Sequence, residues 1–184
     1  MNIMALRMPQ ALRCYARDRR GVSAVEFALL APLMIGLYLG CAEISDGVAA
    51  DRKVSLIAAT LANLTSQVST ITTADMTNIL DASSAIVAPY TASKLKMSIT
   101  CLSINANGQA TVKWSVTRNG TAKSGTMTIP TALAVPNSQL IYAETSYAYT
   151  PTVGYTITGT LALSDIMFMS PRITAPTYGV TTCT

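Results

Sequence analysis

Residues 22–42 constrain this chain more than any other stretch. They read VSAVEFALLAPLMIGLYLGCA, 21 residues with a single charge, Glu26. Wound as a helix at 1.5 Å per residue, the run is about 30 Å long, the thickness of a bilayer's hydrocarbon core. Arg7, Arg13, Arg17, Arg19 and Arg20 stand on its N-terminal side, so the positive-inside rule keeps the N-terminus cytoplasmic and exports the C-terminal part of the chain. Pro32 kinks a membrane helix rather than forbidding it. Those arginines also account for the charge. The formal +4 is complete within residues 1–20, while residues 21–184 carry eight basic and eight acidic groups. The basic excess is a tail and not a patch, and no nucleic-acid partner is expected.

Glu26 is the anomaly in the apolar run. A carboxylate in a membrane segment is costly and marks a function with a nearby partner, unless it lies at headgroup depth and costs little. Gly21 lies five residues before it. Were the chain cut after Gly21, Val22 would carry a new α-amino group and Glu26 would be the fifth residue of the product. The amine and the carboxylate would then stand one helical turn apart, within reach of each other or of a neighbouring chain. An ammonium and a carboxylate paired in hydrocarbon offset each other's desolvation, which neither does alone. In a bundle of such helices the pair fixes register, because one axial offset joins the charges.

The stretch Arg19, Arg20, Gly21 followed by Val-Ser-Ala-Val-Glu26-Phe27-Ala-Leu resembles the N-terminal motif of the TadE/TadG-like proteins. These are pseudopilin-type components of the tight-adherence (Flp-type IVb) pilus machinery. The resemblance implies a basic leader over residues 1–21, insertion in the bacterial inner membrane, and cleavage by a prepilin peptidase between Gly21 and Val22. It makes Glu26 and Phe27 the family's Glu–aromatic pair. The partners it implies are that peptidase, other pilins and pilus assembly proteins of the inner membrane, and membrane lipid. Looser similarity extends over Arg52 and Lys53 to Gln67, Ala88-Pro89-Tyr90, Tyr147 to Pro151, and Pro171-Arg172. The function implied is a minor pilin-like subunit or priming factor, with its C-terminal domain periplasmic. The alternatives are a periplasmic binding or adhesion domain on an uncleaved anchor, a signal peptide ending near Gly40, Cys41 and Ala42, and a lipoprotein. Tyr38 stands where a lipoprotein box expects an aliphatic residue, and Glu26 has no role in the last two.

Beyond the apolar run, Ala50, Val54, Ile57, Leu61, Leu64, Val68 and Ile71 recur at steps of four and three, the seam of a packed helix. The spacing predicts one helix from about residue 22 to 71, its segment 43–71 continuing into the exported part, with Asp46 and Gly47 weakening the junction. Thr72 or Thr73 is expected to cap a second helix with Asp75 in its first turn and Pro89 at its end. Met76, Ile79, Leu80, Ser83 and Ile86 or Val87 give that helix its apolar face. From Lys94 the period becomes two. Leu95, Met97, Ile99 and Cys101 form one face of a strand, and a four-residue turn at 105–108 sets Cys101 opposite Val112, Ile99 opposite Trp114 and Met97 opposite Val116. A tight turn at Asn119-Gly120 then sets Met127 opposite Val112, Gly125 beside Trp114, and Lys123 opposite Val116 as a blemish. Residues 140–150 form a fourth strand with Ile141, Ala143, Thr145, Tyr147 and Tyr149 on one side, and residues 161–170 a fifth, ambiguous element. The fold class expected is α+β, a long N-terminal helix on an antiparallel sheet in a pilin-like arrangement, with residues 72–184 as the head. Tyr142, Tyr147, Tyr149 and Tyr155 are expected at the sheet edge with their hydroxyls in water.

The exported part is an oxidising compartment. Cys101 lies on the inner strand face and Cys183 near the C-terminus, and a disulfide between them is expected to tie the tail to the sheet; the alternative is two unrelated thiols. There is no histidine, which excludes His-based triads and His metal sites, and neither GxGxxG nor GxxxxGK[ST] occurs. Ser93 and Lys96 formally read SxxK but lack its companion motifs. No catalytic residue, metal or cofactor is expected.

Overall fold

The computed structural model describes residues 20–151 and 159–184. The leader up to Arg19, with Cys14, lies outside the described residues, as does Tyr155. The chain divides into two units, Met1–Ala42 and Glu43–Thr184.

Helix α1 spans Arg20–Ser66, unbroken through Pro32 and Gly47. The spacing predicted an end at Ile71, and the helix stops short of it for a local reason. The Thr65 hydroxyl donates to the Leu61 carbonyl and that of Ser66 to the Asn63 carbonyl, bonds that compete with the ladder at a helix end. The backbone N–H of Arg172 then caps the Ser66 carbonyl at 2.9 Å. Freed from the helix, Thr70–Ile71 (β1) pairs in parallel with Thr177–Tyr178 (β7), which pairs with Thr181–Thr182 (β8). Ile71 is still buried, but from a strand.

Within the second unit the seam packs on the sheet as expected. Ala50, Val54, Ile57 and Leu61 are at most 1% exposed, and Ala58 and Ala62 beside them let the backbone approach closely. Each large apolar side chain buried this way contributes about 1.5–3 kcal/mol, far more than helix propensity does. The Thr145 hydroxyl straps sheet to helix by donating to the Val54 carbonyl at 3.0 Å. Gly47 is buried, with Tyr149 against it.

Helix α2 spans Thr73–Ala85 and buries Met76, Leu80 and Ser83. Thr72 is its N-cap, and the cap is reciprocal: the Thr72 hydroxyl accepts from the Asp75 N–H, and the Asp75 carboxylate accepts from the Thr72 N–H and hydroxyl. Those donors hold the Asp75 carboxyl below its ordinary value, the hydroxyl first. A depressed carboxyl stabilises the fold above its unfolded pKa, and the benefit is lost as pH falls through the lower, folded value. Thr72→Ala is expected to cost about 1 kcal/mol in chemical denaturation at neutral pH, with the difference from wild type shrinking as the pH is taken below about 4.

The main sheet is five-stranded and antiparallel, in the order β4-β3-β2-β5-β6, with β2 Leu95–Ile104, β3 Ala110–Arg118, β4 Thr126–Met127, β5 Gln139–Tyr149 and β6 Leu161–Met169. Its registers differ from those predicted. Asn105 N–H bonds the Gln109 carbonyl, so the β2–β3 loop is one residue longer than a four-residue turn. A bulge between Cys101 and Leu102 adds a second step. The two slips sum to an even number, so Cys101, now opposite Trp114, and Ile99, opposite Val116, keep their faces. Val112 does not: the bulge turns it to the other side, where it pairs with Leu102. No tight hairpin forms at Asn119-Gly120. Met127 pairs with Ala110, the Val112 N–H donates to the Gly125 carbonyl, and residues 119–125 form a loop.

The inner face carries the core, including Leu95, Met97, Ile99, Cys101, Trp114, Ile141, Ala143, Tyr147 and Tyr149 against α1 and α2. A second, smaller cluster covers one end of the outer face, where Leu102, Ile104, Ala110, Leu140 and Tyr142 meet Val112, Met127, Ile129, Leu133 and Phe168. The tyrosines correct the expectation from sequence: Tyr142, Tyr147 and Tyr149 are 3–4% exposed, interior rather than edge residues. Cys101 and Cys183 are both buried and form the expected disulfide, with Cα atoms 5.9 Å apart.

Candidate functional site

In the N-terminal unit, α1 begins beside the residues singled out by the sequence. Gly21 is the second residue of the helix. Val22 and Glu26, four apart, share one face, and Phe27 projects about 100° round from Glu26. The run beyond them is exposed on every side: Val25 61%, Phe27 70%, Leu29 73%, Leu30 55%, Leu33 61% and Tyr38 75%. A water-facing helix has a polar stripe; one that is apolar all round belongs in a core or a bilayer. The helix is long and apolar enough to cross a membrane. A methyl group added at Gly21 would meet nothing within 4 Å, so no packing requires glycine there.

In the second unit, Tyr90, Tyr147 and Tyr149 form an aromatic group, the Tyr90 ring 6.2 Å and 6.0 Å from its two neighbours. The Tyr90 hydroxyl donates to the Asp46 carbonyl at 3.1 Å. Burial, and after it the Asp46 carboxylate, hold the Tyr90 and Tyr149 phenols above the ordinary tyrosine range. The Tyr90 hydroxyl is thus a neutral donor that ties the segment after α2 to α1. Ser93 lies in the single helical turn Ala92–Lys94, and Lys96 projects from β2.

Sequence reasoning missed the polar cluster on the outer sheet face. Lys123, which looked like a blemish in an apolar strand, sits on the loop and reaches Glu144 of β5 at 2.8 Å. The Tyr142 hydroxyl donates to the same carboxylate oxygen at 3.0 Å. Burial first, then the Glu144 charge, push the Tyr142 phenol well up. The signal available was Lys123 itself, a charge where the pairing demanded an apolar residue.

Residues 21–62 match the sequence model of the TadE-like protein family. The chain carries a TadE-like domain. No curated protein and no solved structure matches the chain. The TadE-like segment begins at Gly21 and ends at Ala62, so it holds Val22, Glu26, Phe27 and the seam residues Ala50, Val54, Ile57 and Leu61. The sheet and α2 lie outside it. A TadE-like domain points to the assembly of tight-adherence pili, and the pilin-like arrangement of a long apolar helix on an antiparallel sheet agrees with that context.

Proposed function

We propose that this chain is a non-enzymatic, minor pilin-like subunit or priming factor of a tight-adherence type IV pilus. It is inserted in the bacterial inner membrane with its N-terminus cytoplasmic and its head periplasmic, and is trimmed by a prepilin peptidase after Gly21. Val22 then becomes the mature N-terminus, and its amine and Glu26 set the register of α1 against neighbouring pilin helices, with Phe27 beside them. One observation carries the reading: the TadE-like match starts at Gly21, on a helix that is apolar on all sides except for one carboxylate a turn further on.

Gly21→Ala tests it. The added methyl group meets open space, so the substitution spares the fold and acts on the peptidase alone. The expected result is a precursor about 2 kDa heavier on a gel, in which Val22 is never the first residue on N-terminal sequencing, with no pili. Unchanged size and normal piliation would reject processing at Gly21 and favour a domain tethered by an uncut anchor.

A further inference from the structure

The strand order leaves β6 at one edge of the main sheet, with β5 on one side of it and, among the described residues, no strand on the other. The hydrogen bonding fixes which backbone groups face that open edge. The Ile104 N–H donates to the Ser138 carbonyl at 2.9 Å, so the even-numbered residues of β2 bond to β5. By the alternation of an antiparallel ladder, the odd-numbered residues of β5 then bond to β6. The odd-numbered residues of β6 answer them, Leu163 opposite Tyr147 and Asp165 opposite Thr145. Ala162, Ser164, Ile166 and Phe168 turn their N–H and carbonyl groups outward.

An edge of this kind is a template for a further strand. β6 reads LALSDIMFM, without Lys, Arg, Pro or Gly to discourage one, and Ala162, Ser164 and Ile166 are exposed. Asp165 is the exception. Thr145, opposite it, faces the helices, where its hydroxyl meets the Val54 carbonyl. Asp165 therefore stands on the inner face too, a half-buried charge in line with Leu163 and Met167, which belong to the core or pack against it. No cation pairs with it among the described residues. Its Oδ1 instead accepts the outward Ile166 N–H at 2.8 Å.

We propose that Asp165 is a guard that keeps two heads from joining edge to edge through β6. It acts in two ways. The Ile166 N–H, near the middle of the open edge, is already engaged, so an incoming strand has to displace the carboxylate to complete its ladder. A second copy of the chain is also met by charge. The antiparallel register of fullest overlap sets Leu161 against Met169 of the other copy and Asp165 against its own counterpart. That is a non-hydrogen-bonded pair, with Cα atoms about 4.5 Å apart, and like charges directly opposite one another oppose pairing. A slip of two residues shortens the ladder and sets the carboxylate against Leu163 or Met167 of the other copy, which cannot satisfy it. A slip of one residue brings outward groups opposite groups already spent on β5 and forms no ladder. The inference is independent of the pilus reading, since β6 lies within the head whether or not the chain is cut at Gly21.

Amide hydrogen exchange of the full-length protein in detergent micelles tests it, read at the outward Ser164 and Phe168 N–H groups at low and high protein concentration. These amides report pairing at β6 and not association through α1. In wild-type protein their exchange is expected to be the same at both concentrations. Asp165→Val removes both the charge and the acceptor, and is expected to slow the two amides at least tenfold at the higher concentration, while core amides of β2 exchange as in wild type. Asp165→Lys restores a like charge without the acceptor, and is expected to return exchange to independence of concentration. Adding Ile166→Pro to Asp165→Val takes away an outward donor and no bond to β5, a change an edge strand tolerates, and is expected to abolish the slowing. The proposal is overturned if wild type shows the same slowing, if Asp165→Val shows none, if Asp165→Lys behaves as Asp165→Val does, or if the proline leaves the slowing in place.

Discussion

Glu26→Gln is expected to leave the protein in the membrane and to reduce recovered pili at least tenfold. An ionised carboxylate within a membrane helix carries a penalty of about 2.5–3.5 kcal/mol on insertion scales, less towards the interface. Glutamine removes the charge, keeps the length and keeps a hydrogen-bonding end, so insertion is unchanged or improved. On the proposed processing, the Val22 amine would be the cation that answers Glu26. Taking away one partner of a desolvated pair leaves the other uncompensated, a loss of about 3–5 kcal/mol when the pair is fully buried. At 1.4 kcal/mol per factor of ten, even a third of that loss at each added subunit is about a tenfold bias against incorporation. The measurement is a pair of immunoblots, one of the membrane fraction and one of sheared pili, from cells carrying wild-type or variant protein. Normal piliation with Glu26→Gln would remove the register role, and failure of the variant to reach the membrane would assign Glu26 to insertion instead. On the same proposal Gly21→Ala acts at an earlier step, so the two variants are expected to give different products: an uncut precursor, and a cut subunit that does not assemble.

The contrast between what the sequence revealed and what it concealed has a physical basis. The long apolar helix, the seam and the α2 cap are local patterns. The residues that form them lie within a few positions of each other, and the structure has each of them: Glu26 on an apolar rod, Val54, Ile57 and Leu61 in the core, Thr72 paired with Asp75. The disulfide was legible because alternation put Cys101 on the inner face, and an even register error cannot undo that. What failed were features decided by partners far along the chain. The C-terminal tail ends α1 at Ser66 through the Arg172 amide and draws Thr70 and Ile71 into a strand; no periodicity within residues 22–71 contains that information. Asn119-Gly120 failed as a tight turn because the loop is held elsewhere, the Lys123 amide by the Ser115 hydroxyl and its ammonium by Glu144. The tyrosines were misplaced for a related reason. An edge position was expected from their phenols, but β5 is flanked by β2 and β6, and a strand with neighbours on both sides presents its side chains to the two faces.

Removing the Cys101–Cys183 bridge is expected to cost about 4.5 kcal/mol and to lower the melting temperature by about 10–15 °C. The loop it closes has a sequence separation of 82 residues, and the chain-entropy cost of an open loop of that size gives the first figure. The folded geometry makes the bridge a stabiliser of the native state and not a surface ornament, since both half-cystines are fully buried and Cys101 lies between Trp114 and Ile141 in the middle of the sheet. The tail has other attachments. The Trp114 indole N–H donates to the Pro176 carbonyl at 3.2 Å, the Trp114 and Tyr178 rings lie 5.7 Å apart, and β7 pairs with β1. Reduction should therefore lower stability without releasing the tail from the native state. Two routes separate the contributions. Reduced wild-type protein keeps both sulfurs in place, so its loss measures the cross-link. The Cys101→Ala/Cys183→Ala variant also empties the space the sulfurs fill, and is expected to lose a further ~1 kcal/mol or more from the cavity. Denaturant unfolding of oxidised, reduced and doubly substituted protein gives the three values. A reduced protein as stable as the oxidised one would show that the tail is held by Trp114, Tyr178 and strand pairing alone, with the loop already restrained in the unfolded chain.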